Sequence, residues 1–197
     1  MDRKRRAVLA SVAALAPWST GVAAEERATA SPSPVVLTVS GSIRRANRGP
    51  VDPAIDALMA KHGIKFASAH VVDFAAIAAL PAVTIKPTHE YDAKVHTMRG
   101  PLLADVLTKA GSAQVSDTST LLMRGIDGYA GKWTVADVRK YRFLVVTHMD
   151  GKPLAVGGLG PLWATYDADR FPDKAAKPLN ERYAGCPWGL YHIEVTA

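Results

Sequence analysis

The apolar residues in the second half of the chain fall in short runs broken by turn residues. "TSTLLMRGIDGY", "RFLVVTHMDGKPLAV", "LGPLWATYD" and "WGLYHIEVT" each read as a strand or a strand pair. The second of these turns back on itself. Asp150-Gly151 lies between two apolar runs, and a two-residue hairpin needs residues there that accept positive φ. Earlier runs, "VVLTVSGSI", "AVTIK" and "KVHTMRG", read the same way. The helices between them are short. "VDPAIDALMAKHG" has Asp52 as N-cap, Pro53 at the first helical position, Ile55, Leu58 and Met59 on one face, and Gly63 as a stop. "DFAAIAAL" is capped by Asp73, and "GPLLADVLTKAG" has Pro101 at its start and Gly111 at its end. "TVADVRKY" opens with Thr134 and Asp137 in capping-box-like spacing. Many strands, short helices and no strict strand–helix–strand alternation predict an α+β fold of mixed β-sheets. The chain shows no internal repeat and no second domain.

Composition supports one domain with a real core, since 48% of the 197 residues are apolar and 21% charged. The first 24 residues read as a cleavable signal peptide: basic "MDRKRR", apolar "AVLASVAALA", and small residues "VAA" where a signal peptidase cuts. Ten apolar residues at about 1.5 Å each do not cross a hydrocarbon layer roughly 30 Å thick, so no membrane insertion is expected after cleavage. Arg5-Arg6 partly matches the twin-arginine signal of proteins exported after folding, which leaves Sec and Tat export both open. Residues 25–34, "EERATASPSP", form a polar leader, and the domain is expected over 35–197. Residues 1–24 hold four basic residues and one acid, so their removal lowers the formal charge from +6 to +3. No basic stripe with interleaved aromatics remains that would suit nucleic acid.

Several clusters carry possible chemistry, each beside a plainer alternative. "HEYDAKVH" offers His89, Glu90, Asp92 and His96, ligand types for a metal ion, although a solvated loop entering a strand explains them equally. In "GIDGYAG", Asp127 accepts hydrogen bonds and Tyr129 offers a ring and a hydroxyl, while Asp127-Gly128 also suits a tight turn. Arg124 and Arg182 are anion-binding candidates or salt-bridge partners. Trp163, Tyr166, Trp188 and Tyr191 fall on strands, where aromatics are usually core. The single Cys186 rules out an internal disulfide. Its neighbours Gly185, Pro187 and Trp188 supply no cation to lower a thiol pKa, which favours a small apolar filler. No phosphate loop, CxxC or Ser-His-Asp context is present.

The ordered set "FAAIAALPAVTI", "MRGPLLADVLTKAG", "LLMRGIDGYAGKWTVADVRKYRFLVVTHMDGKPLAV", "GLGPLWATY" and a terminal "W…IEV" resembles the oxidoreductase molybdopterin-binding domain, the sulfite-oxidase-like fold. The resemblance covers roughly 35–197 and points to small, single-domain exported members. It implies a cofactor cleft beside Asp127 and Tyr129, bordered by the terminal segment and by the strand end that reads "VTIKPTHEYD". The family's metal-ligating cysteine belongs at that strand end, yet residues 83–99 contain none. Trp163 stands where the family's arginine follows Gly-Pro-Leu, and Pro187 where a lysine precedes the terminal tryptophan.

These departures predict a periplasmic or secreted binding module that has lost the metal-ligating cysteine. His89, Arg124, Asp127, Tyr129, Trp163, Arg182 and Trp188 are its expected ligand-binding residues. The expected partner is a small-molecule ligand or a membrane signalling protein, with no cofactor required. A molybdopterin-dependent oxidoreductase with unconventional ligation is one alternative. A metal-binding protein using His89 and His96 is the other.

Overall fold

In the computed structural model, residues 33–112 and 115–197 are described. The expected signal peptide and nearly all of the expected leader fall outside these residues. Among the described residues, no helix is long and apolar enough to cross a membrane.

Strands β1 (Val35–Gly41) and β2 (Ala69–Asp73) flank helix α1 (Ala57–Lys61) in sequence and pair antiparallel. Helix α2 (Phe74–Ala78) follows at once, with the Asp73 carboxylate accepting the Ala76 N–H as the sequence predicts. Then come β3 (Ala82–Ile85), β4 (Met98–Pro101), α3 (Leu103–Lys109), β5 (Thr120–Gly125), β6 (Ala130–Thr134) and α4 (Val135–Lys140). The chain continues through β7 (Leu144–Val146), β8 (His148–Met149), β9 (Lys152–Pro153) and β10 (Trp163–Thr165). A 3-10 turn over Ala168–Arg170, helices α5 (Pro172–Ala175) and α6 (Leu179–Arg182), and β11 (Leu190–Thr196) complete it.

The strands form three sheets, as an α+β chain of this pattern should. A five-stranded sheet runs β2-β1-β11-β5-β6, a four-stranded one β3-β4-β8-β9, and β10 pairs with β7. In the large sheet only β1 and β11 are parallel. One face of that sheet places Leu37, Val39, Leu121, Met123, Ile193 and Val195 in the main core against α3 and α4. Aromatic rings fill the rest: Trp133 and Tyr166 each lie 4.8 Å from Phe143, at tilted or edge-on angles that rings favour. The β11–β5 register shifts between Leu190 and His192. Such an irregularity breaks the period-two alternation. Leu190 therefore joins the main core, while Tyr191 packs with Met59 and Ile64 in a separate cluster.

Two local expectations change. The first helix begins at Ala57, four residues after Pro53. The Asp52 carboxylate accepts the Ala54 N–H in a local turn, and Asp56 is drawn away to Arg48. Of its intended apolar face only Met59 is buried; Ile55 is 79% exposed. Pro101 ends β4, paired with Ala82, and the helix starts after Leu102. The partner strand β8 pairs only as far as Arg99, so the missing proline N–H costs no ladder bond on that side. By contrast, Thr134 caps α4 by accepting the Asp137 N–H, and the Thr134 hydroxyl donates to the Asp137 carboxylate.

The Asp150-Gly151 turn joins β8 to β9 with φ of 49° and 78°, the sign a type I′ hairpin requires at both positions. Gly151→Val puts a β-branched residue at positive φ and is expected to cost on the order of 1–3 kcal/mol. A lowered melting temperature in thermal unfolding checks this; an unchanged one contradicts the turn assignment.

Candidate functional site

Three segments far apart in sequence meet at a cleft of about 280 Å³. The first is the β5–β6 turn. Its Asp127 carboxylate accepts the Tyr129 N–H at 3.0 Å, and the Gly125 N–H donates to the Tyr129 carbonyl. The second is the segment before β11. Gly185 is held at both ends by β6 and its turn: its N–H donates to the Tyr129 hydroxyl at 2.9 Å, and its carbonyl accepts the Trp133 indole N–H at 2.8 Å. The third is the loop after β3, pinched by the Thr88–Val95 bridge and a bond from the His89 N–H to the Lys94 carbonyl. The Tyr183 hydroxyl donates to the Thr88 carbonyl and joins the second and third segments.

The rings of Tyr91, Tyr129, Tyr183 and Trp188 and the carboxylates of Glu90 and Asp127 line this cleft. Among the described residues, no lysine or arginine lines it. Burial raises the Glu90 carboxyl above the usual carboxylate range, opposed in part by a Tyr91 hydrogen bond. Burial likewise raises the Tyr91 hydroxyl, with the Glu90 charge adding to it. Cys186 forms part of the wall but is only 4% exposed and packs in the main core. Burial pushes its thiol far up, and the nearby Glu90 charge pushes in the same direction.

Asp127, Tyr129 and Trp188 thus come together as the sequence suggests, beside the 86–92 loop. The cleft is not the largest, however. A wider one of about 520 Å³ runs between β1 and the turn before α1, lined by Leu37, Ile55, Met59 and Tyr191 among others. Trp163 sits behind the cleft wall at 1% exposure, bridged to Trp188, and its indole donates to the Cys186 carbonyl at 3.1 Å. His89 lies behind Trp163, with ring centroids 5.6 Å apart.

The two arginines point to other work. Arg124 bridges β5 and β11, donating to the Glu194 carboxylate and to His192 Nδ1, each at 3.0 Å. Arg182 donates to the Asp169 carboxylate at 2.8 Å and to the Lys177 carbonyl. Neither lines the cleft. Sequence reasoning missed Tyr91, Tyr183 and Asn180 as cleft residues. Tyr91 carried the only available signal, as an aromatic inside a charged loop.

The same loop separates its polar residues. Glu90 and Tyr91 reach the cleft, whereas His89, Asp92 and His96 gather apart from it. The Asp92 carboxylate meets His89 Nδ1 at 3.2 Å and His96 Nε2 at 3.0 Å. His96 Nδ1 meets Asp150 Oδ2 at 2.6 Å, so the hairpin aspartate does more than turn the chain. Asp150 and then Asp92 hold His96 above the usual imidazole range. The His96 contact, chiefly, brings Asp92 down to about 2.

No protein-family description matches this chain, and neither does any curated protein sequence. Among solved structures it is similar to the sulfane dehydrogenase SoxCD from Paracoccus pantotrophus, at 10% identity and a TM-score of 0.53. The alignment covers 81% of this chain but only 37% of that one. A likeness at this identity shows the fold alone, an α+β architecture shared with part of that enzyme.

Proposed function

We propose that this chain is an exported binding module that holds a small cationic ligand, of the quaternary or alkylated ammonium type, in the cleft between Glu90 and Asp127. The observation that carries the reading is the lining: four aromatic rings, two carboxylates and no basic side chain. Ring faces attract cations through their quadrupoles, by about 0.5–2 kcal/mol each. A cation beside Glu90 also favours the ionised carboxylate that burial disfavours. Export rests on the signal-like residues 1–24.

The same lining does not fit a molybdopterin. Its phosphate is anionic, and at an effective dielectric near 20 two like charges about 6 Å apart repel by about 3 kcal/mol. The remaining thiol, Cys186, is buried and strongly disfavours the thiolate that a soft metal needs.

Calorimetric titration with choline, against its neutral isostere 3,3-dimethyl-1-butanol and against inorganic phosphate, tests the reading. Choline is expected to bind at least tenfold tighter than the neutral alcohol, and phosphate not at all. Asp127→Asn keeps the oxygen that accepts the Tyr129 N–H yet is expected to weaken choline about tenfold, or about 1.4 kcal/mol. Equal affinity for choline and the neutral alcohol would overturn the proposal.

A further inference from the structure

We infer that His89, Asp92 and His96 form a second site, a three-ligand centre for a borderline divalent transition metal such as Zn²⁺, with a fourth position open to water. One donor atom from each residue lies within 4.8 Å of the other two. The Asp92 carboxylate already reaches His89 Nδ1 at 3.2 Å through Oδ1 and His96 Nε2 at 3.0 Å through Oδ2. Tetrahedral ligands at about 2.0–2.1 Å from zinc stand roughly 3.3 Å apart, so closure onto an ion needs only side-chain adjustment. Two imidazoles and a carboxylate suit zinc and its neighbours better than calcium or magnesium, which take oxygen alone.

The loop presets the cluster. Ala93 takes φ of 56°, and its N–H donates to the His89 carbonyl, so residues 89–93 close into a single turn that faces Asp92 toward both rings. His96 then has the supporting partner that metal-bound histidines usually have. Asp150 Oδ2 accepts from its Nδ1 at 2.6 Å, so Nδ1 keeps its proton when an ion replaces the one on Nε2, and Nε2 is the ligating nitrogen. Asp150 is itself fixed, accepting the Thr97 N–H at 2.9 Å through its other oxygen. This arrangement explains why an aspartate, among the residues a type I′ turn tolerates, occupies position 150.

His89 is the buried member of the three. It is only 6% exposed, and its Nε2 is buried with no hydrogen-bond partner. The buried His192 shows the fully paired alternative, with both nitrogens used between Ser40 and Arg124. His89 directs its one engaged nitrogen at the other two ligands, and Trp163 and Tyr91 pack edge-on around its ring at 5.6 and 5.2 Å. That packing fixes the ring with Nδ1 facing the Asp92 carboxylate.

The test uses the purified chain, stripped with a chelator and titrated with Zn²⁺, with Co²⁺ as a spectroscopic probe. One equivalent is expected to bind saturably, and Co²⁺ to show the intense visible bands of a low-coordinate N/O site. Asp92→Asn and His96→Asn are each expected to weaken Zn²⁺ at least a hundredfold. Asp150→Asn, which leaves all three ligands in place, should weaken it about tenfold. Circular dichroism confirms that each variant is folded; the partly exposed Asp92 position keeps the test decisive should a histidine variant unfold. Absence of saturable Zn²⁺ binding, or binding indifferent to Asp92→Asn in folded protein, would overturn the inference. Choline binding to Asp92→Asn should equal that of the parent, which separates this site from the cleft.

Discussion

Between pH 6.5 and pH 4 the fold is expected to lose about 3 kcal/mol through a single residue, His192. Its side chain is fully buried on β11. Arginine can only donate, so Arg124 fixes Nδ1 as an acceptor and leaves Nε2 to donate to the Ser40 hydroxyl. Both nitrogens are satisfied only in the neutral ring. Burial chiefly, and the Arg124 charge with it, lower the pKa to about 3. The unfolded chain binds a proton near pH 6.5, whereas the folded one resists until about pH 3. The stabilisation is therefore complete above 6.5 and disappears progressively as the pH falls toward 3. His96 acts in the opposite sense: its raised pKa gives a contribution that is complete below 6.5 and lost as the pH rises through its folded value. Urea unfolding at several pH values, compared between the parent and His192→Gln, isolates the buried ring. The slope between pH 6.5 and 4 should flatten in the variant. An imidazole resonance for His192 that titrates near 6.5 in folded protein contradicts the assignment.

Gly131→Ala is expected to destabilise by about 3 kcal/mol and to abolish ligand binding in the cleft. A Cβ at position 131 meets the Gly185 carbonyl oxygen at 2.1 Å and its Cα at 2.6 Å, so backbone must move. What moves is the segment that carries Cys186 and Trp188, and with it the Trp133 and Tyr129 bonds to Gly185. Gly49→Ala is the control, because nothing lies within 4 Å of its Cβ position and its φ is ordinary. Chemical denaturation and choline titration of the two variants measure both effects. Equal stabilities would show that the terminal segment is not clamped through this contact.

Local grammar was legible where a few neighbouring residues settle the matter. The caps at Asp73 and Thr134 and the turn at Asp150-Gly151 depend on contacts within three or four positions. The first helix was read too long because its start depends on Arg48 capturing Asp56, a contact eight residues back and outside any periodic pattern. Asp127, Tyr129 and Trp188 were found through the resemblance, while Tyr183 and Asn180 reach the cleft from α6 and the residue after it. For the arginines the salt-bridge alternative holds over the anion-binding one, and the choice was not legible for a similar reason. Glu194 is 70 residues from Arg124 in sequence, although β5 and β11 bring them to 3.0 Å. A charge looks available in sequence whenever its partner belongs to another strand.

The position of β11 in the large sheet sets the order in which the molecule can be assembled. It is the middle strand of five, with β2-β1 on one side and β5-β6 on the other. Its pairing with β1 joins Thr38 to His192, a loop closure across most of the chain. Without β11, the β2-β1 and β5-β6 pairs have no seam between them. Non-local pairings of this kind are slow to form, and exposed strand edges are open to wrong partners while they wait. Until β11 is paired, β1 and β5 each keep an open edge, so closure of the large sheet waits on this one strand.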